Sequence, residues 1–279
     1  FFHSSFNKVI KTPGDLVDFV AVIGSIRQGK GFGRTVKRAI NNWLTGEGSK
    51  ARQEGLSQYH AIKYGGGDSS KKWTLKDVIR TAHPIPKNEL QSWLFKYLTQ
   101  GELNTSLNQI YAVEELKRVS NQRKELGEAE FTKVVNGLIT VGRLPYEVVT
   151  GIIKPNVDIW ESLMRQMPIF ALVRHLNTLE EAGVFNKKAN VDWVVGQLTN
   201  PEIITRSKML PFRFSTAYKN FKGNLAVSNG LKKALDLSLS NLDMLPGKNA
   251  YFLDVSGSMN TDYLEIGSLL GLAALNKSS

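Results

Sequence analysis

The chain has 279 residues, 42% hydrophobic and 22% charged, enough to bury a substantial core in one or two domains. Its 36 Lys plus Arg against 25 Asp plus Glu leave a net charge of +11, which favours a polyanionic partner, with plain solubility as the alternative. There is no cysteine, which excludes disulfide frameworks, thiolate zinc sites and cysteine nucleophiles, and no apolar run approaches the ~20 residues of a membrane-spanning helix.

Helical periodicity dominates in chain order. Phe32, Val36, Ile40, Trp43 and Leu44 recur at helical spacing, with Arg34, Lys37 and Arg38 on another face, and Thr45-Gly46-Glu47-Gly48 ends the pattern. A short helix over about Leu56–Lys63 is expected to stop at Gly65-Gly66-Gly67. Thr74 with Asp77 forms a capping-box pattern, opening a helix with Leu75, Val78, Ile79 and Ala82 inward; Pro84 and Pro86 close it. Further amphipathic segments lie at about Glu89–Thr99, Ile110–Leu126, Phe131–Val141 and Pro145–Ile152. Another runs from Val157 through Thr178 with a kink expected at Pro168, followed by Asn190–Leu198 and Leu231–Leu239. Such a series reads as an irregular α-solenoid, with a compact helical bundle as the alternative. Trp43, Trp73, Trp93 and Trp160 read as core.

The character changes at Asn249. Ala250–Val255 is an apolar run expected to form a buried strand, Ser256-Gly257-Ser258 turns the chain, and Tyr263–Asn276 is expected to be helical. Strand, polar turn and helix are how an α/β domain opens, with the turn where open sheets bind ligands. Asp254, Ser256 and Ser258 offer hard oxygens on one side of that turn, suited to a divalent cation, Mg²⁺ foremost. The alternative is a polar turn in which Asp254 caps the next helix. The motif resembles the metal-ion-dependent adhesion site of von Willebrand A domains, which implies direct metal contacts from the two serines and a water-mediated one from the aspartate. The residues after Val255 are too few for a doubly wound sheet, so the expected site is incomplete.

Gly29-Lys30-Gly31-Phe32-Gly33-Arg34 suits a tight turn into a basic helix better than a nucleotide loop, since no Lys-Ser/Thr ends it. With Lys37-Arg38-Ala39-Ile40 and Trp43, this stretch is similar to part of the TROVE module of Ro ribonucleoproteins. Tyr59-His60-Ala61-Ile62-Lys63-Tyr64, Trp73–Asp77, Ile79–Pro84 and Met167–Leu176 resemble that module's later blocks and follow in its order. The resemblance implies a mainly α fold. Residues 1–245 would be a ring of HEAT-like helical repeats, and residues 246–279 the opening of a von Willebrand A domain. It implies small structured, Y-like RNAs on the outer basic surface and single-stranded 3′ ends of misfolded RNA in the central hole. It places Lys63 and His83 at RNA-contacting positions. The family's basic residue after Tyr64 is missing, and Lys71 and Lys72 stand as its substitutes.

Independently of that resemblance, Lys76 and Arg80 are spaced i,i+4, as are Arg34 and Arg38 beside Lys37, so each set can follow one phosphate track. A solvated charged face is the alternative for each cluster. His83 suits base stacking or a 2′-OH bond, or else a helix C-terminus favoured by the dipole. His3, His60, His83 and His175 show no metal-ligand or nucleophile–base spacing, so no catalytic residue is expected. The resulting expectation is a cytoplasmic, monomeric, non-enzymatic RNA-binding scaffold for non-coding RNA quality control, with a 3′-to-5′ exoribonuclease as a partner and no membrane contact. The alternative is a metal-dependent protein-adhesion module with the helices as its platform.

Overall fold

The computed structural model describes residues 2–27, 31–46, 56–65, 73–242, 250–257, 259 and 261–275. The described residues are mainly helical and divide into two compact units, Phe1–Ile153 and Lys154–Ser279.

The first unit contains α1 (Phe2–Val9), α2 (Pro13–Ile26), α3 (Arg34–Thr45), α4 (Gln58–Gly65) and α5 (Leu75–Ala82). It continues through α6 (Glu89–Gln100), α7 (Asn108–Asn121), α8 (Arg123–Leu126), α9 (Glu128–Gly142) and α10 (Tyr146–Ile152). Its helix starts follow local chemistry. Thr12 and Thr74 each accept a hydrogen bond from the backbone three residues on, while Asp15 and Asp77 accept from the Thr backbone N–H in return. Gly46 and Gly101 end α3 and α6 in the left-handed conformation that glycine adopts without strain. Inward faces from α2, α3, α5 and α6 meet in a core containing Leu16, Val20, Ile40, Leu75, Val78 and Leu94. Trp43 is buried among them and its Nε1–H donates to the Ile10 carbonyl at 3.1 Å, fastening α3 to the end of α1. Trp73 and Trp93 pack against this core partly buried.

α7 lies along α9, with Gly142 against Ala112: a Cβ placed on Gly142 would sit 2.5 Å from the Ala112 Cβ. The expected helix over Ile110–Leu126 is divided at Gln122, which adopts φ −96° and ψ 7°.

The second unit holds α11 (Val157–Gln166), α12 (Ile169–Glu181), α13 (Lys188–Thr199), α14 (Pro201–Ser207), α15 (Pro211–Asn220), α16 (Leu225–Ser238) and α17 (Thr261–Leu275). Short 3₁₀ turns at Val184–Asn186 and Leu239–Asn241 join its elements. Pro168 does more than kink the Val157–Thr178 segment. Met167 and Pro168 are both extended, because a residue before proline avoids the α region, so the segment becomes two helices. Trp160 is buried, as expected. The fully buried Asn190 ties the centre: its Nδ2 donates to the Val184 carbonyl at 3.0 Å and its Oδ1 accepts from Arg165 at 2.8 Å.

The Ala250–Val255 run departs from expectation. It is irregular, and Phe252 and Val255 are exposed. A strand exists only in a ladder, and the described residues supply no neighbouring strand to pair with it. The expected strand–turn–helix opening is therefore present only as turn and helix.

Candidate nucleic-acid interface

α3 is strongly two-faced. Ala39, Ile40, Trp43 and Leu44 are buried, while Arg34 and Arg38 are exposed and Lys37 is half-exposed beside them. α5 runs alongside α3 and ends at His83, whose φ of 51° is left-handed and whose N–H donates to the Ile79 carbonyl. That reversal, followed by Pro84 and Pro86 with their fixed φ, turns the chain so that Ile85, Pro86 and Lys87 face the basic side of α3. Between them lies an open groove of about 550 Å³ whose walls include Arg34, Lys37, Arg38, Lys87, Asn41 and Asn42. No described carboxylate lines it. Four cations and two amides facing one channel make a region of positive potential suited to a polyanion.

The structure gathers only part of the sequence-predicted set here. Arg34, Lys37 and Arg38 share the groove, and His83 ends the helix beside it, exposed. Lys63 is exposed on α4 and outside the groove. Its Nζ donates to the Tyr59 hydroxyl at 3.4 Å, and that hydroxyl donates to Glu147 Oε1 at 2.8 Å. The ammonium also lies 5.6 Å and 5.7 Å from the ring centres of Tyr59 and Tyr64. The bond with Tyr59 holds the Lys63 ammonium above its ordinary range, while burial and then the Glu147 bond push the Tyr59 phenol up.

Arg80 is exposed on α5, but its Nη2 donates to the Thr99 carbonyl at 3.1 Å, satisfying a carbonyl in the last turn of α6. Lys76 is half-exposed one turn earlier on that helix. Lys71 and Lys72 lie outside the described residues. Sequence reasoning misses Lys87; the rigid Pro84-x-Pro86 turn directly before it is the signal that fixes its direction.

A second groove, of about 600 Å³, adjoins the first and shares Thr45 and Lys87 with it. Amides dominate its polar wall: Gln58, Asn88, Gln91, Asn108 and Gln109, with Arg143 also in the lining. Gln58 Oε1 accepts the Gln109 and Ile110 backbone N–H groups at 3.0 and 3.2 Å, closing the start of α7. Gln91 Nε2 donates to the Thr45 carbonyl at 3.3 Å, and its Oε1 accepts from the Lys87 N–H at 2.9 Å. These bonds fix the amides in place.

At the C-terminal turn, Asp254 is exposed and its Oδ1 accepts the Ser256 N–H at 2.8 Å. That bond, with a second from the Ser256 side chain, holds the Asp254 carboxyl below its ordinary range. Ser258 lies outside the described residues. A hard cation takes six or more oxygens. Here the described donors are one exposed carboxylate, already bonded to its own turn, and one serine hydroxyl. Among the described residues that pair alone does not complete such a shell, and they hold no cluster of three acidic or imidazole groups.

Residues 153–246 match the family model described as the TROVE domain. The RNA-binding protein RO60 of Caenorhabditis elegans is 23% identical over 314 residues, an alignment covering 91% of this chain and 47% of that protein. The crystal structure of the Deinococcus radiodurans RO (RSR) protein aligns with a TM-score of 0.71 at 21% identity, covering 99% of this chain and 57% of that one. At that identity the likeness is one of fold. The chain spans about half the length of the curated relative it matches. The chain is thus similar to the TROVE domain over residues 153–246, and its helical fold is like that of the D. radiodurans RO (RSR) protein.

Proposed function

We propose that this chain binds structured RNA, with the groove between α3 and the turn after α5 as its phosphate track. One observation carries the reading: Arg34, Lys37, Arg38 and Lys87 converge on one channel that no described carboxylate lines. Phosphate contacts of this kind supply affinity and orientation, while shape supplies the preference for RNA. A-form helices favour such recognition, because their deep, narrow major groove hides the base edges from side chains. The C. elegans relative, named as RNA-binding, supports the same reading. Within this proposal the ligands are small structured, Y-like RNAs, and the chain serves non-coding RNA quality control by also taking single-stranded ends of misfolded RNA. His83, exposed beside the track, is the side chain set to touch a base or a 2′-OH.

The test compares a structured small RNA carrying a single-stranded 3′ tail with a DNA duplex of equal charge over a salt series. Tighter binding to RNA, weakening as salt rises, is the expected result. Equal and weak binding to both would leave the helices as a basic platform without RNA preference and would overturn the proposal.

A further inference from the structure

We propose that the amide-lined groove beside the phosphate track is a base-reading pocket for one or two unpaired nucleotides. The inference rests on the RNA-binding reading above and adds sequence recognition to it. Three observations carry it.

The two grooves adjoin, since Thr45 and Lys87 line both, so a chain whose phosphates follow Arg34, Lys37 and Arg38 has the second groove within reach past Lys87. The second groove changes character in the way base reading requires. Leu90, 46% exposed, offers an apolar surface for a base face, and amides stand around it at fixed positions. The amides also keep hydrogen-bonding capacity. Asn108 Oδ1 and Asn88 Oδ1 accept bonds within the protein, but the Nδ2 of each has no protein partner among the described residues. Gln109 Nε2 donates to the Arg143 carbonyl at 3.2 Å, and its Oε1 likewise has no partner among the described residues. A set of amide donors and an acceptor distinguishes base edges, whereas a purely cationic groove cannot. Lys87 and the exposed Arg143, both in the lining, supply charge for the phosphates of such a nucleotide. No described carboxylate lines this groove either.

The experiment measures fluorescence anisotropy of a hairpin RNA, blunt or carrying a three-nucleotide extension of A, C, G or U. For the unmodified protein, at least one extension should tighten binding about tenfold over the blunt hairpin, and the four should differ. Arg143→Gly removes the guanidinium at a residue whose φ of 47° glycine adopts freely, so the fold is retained. It should erase the gain and leave blunt-hairpin affinity within about twofold. Asn108→Asp, which keeps the oxygen that Gln58 bonds but replaces the donor with a charge, should do the same. An equal gain for all four bases, no gain at all, or a gain that survives both substitutions would overturn base reading. Failure of the blunt hairpin to bind in any salt-dependent way would instead overturn the phosphate track.

Discussion

Neutralising the groove tests the phosphate track most directly. Arg34, Lys37, Arg38 and Lys87 each become Gln, which suits a helix about as well as Lys or Arg and leaves the buried face of α3 intact. Each phosphate neutralised contributes about 0.9 to the slope of log affinity against log salt for a duplex, so four contacts amount to about 3.6. Between 50 and 200 mM salt, that slope is a loss of affinity of about 150-fold. The fourfold variant should therefore bind a structured RNA with a slope shallower by about 3.6, and Lys87→Gln alone by about 0.9. Anisotropy titrations at five salt concentrations measure this, with circular dichroism to check helix content. A fall in affinity with the slope unchanged would refute the reasoning, because the cations would then be acting through something other than phosphate contact.

Three further outcomes are expected. His83→Gly relieves a left-handed residue of strain of about 1 kcal/mol, so melting temperature should hold or rise; RNA affinity that falls regardless assigns the imidazole a contact with the ligand. Gly142→Ala drives a Cβ to 2.5 Å from that of Ala112 and should cost about 1–3 kcal/mol in denaturant titration, with Ala112→Gly restoring much of it; a neutral Gly142→Ala would mean α7 and α9 can separate without loss. Burial, reinforced by Glu114, pushes the Tyr97 phenol from 10.0 up to about 12. Between those values the folded chain holds a proton that the unfolded chain has released. That stability is complete below pH 10 and is lost as pH rises through about 12. Tyr97→Phe should flatten the alkaline decline in stability measured from pH 9 to 12; an identical decline would remove Tyr97 as its source.

Local signals in the sequence translate well into this fold. The Thr74–Asp77 box, the two-faced pattern of α3 and the stop at Gly46 each depend on residues a few positions apart. Thr12 with Asp15 and Pro13 is an equally readable start for α2, passed over when hydrophobic spacing alone is followed. The short helices α14 and α15 likewise open on Pro201 and Pro211. The break at Gln122 carries no glycine or proline to mark it and is set by how α8 and α9 pack.

Site reading fails for a different reason. Arg80 looks like a phosphate ligand because its acceptor, the Thr99 carbonyl, belongs to another helix. Lys87 joins Arg34 only once the His83 reversal has been made. The apolar look of Ala250–Val255 suggests a strand, but pairing depends on partners that the run itself cannot disclose.

The brevity of the helices has a consequence for how ligand and fold are linked. The described α-helices span 4 to 15 residues, and isolated helices below about 12–15 residues are marginal in water. The cationic ridge of α3 therefore has no independent existence: it persists only while Trp43 and Ile40 remain docked beneath it. A polyanion that grips the ridge grips the folded state alone. At a free concentration one hundred times its dissociation constant it would stabilise the first unit by about 2.7 kcal/mol. Bound nucleic acid thereby becomes a structural component of that unit, and its occupancy is readable in a melting curve.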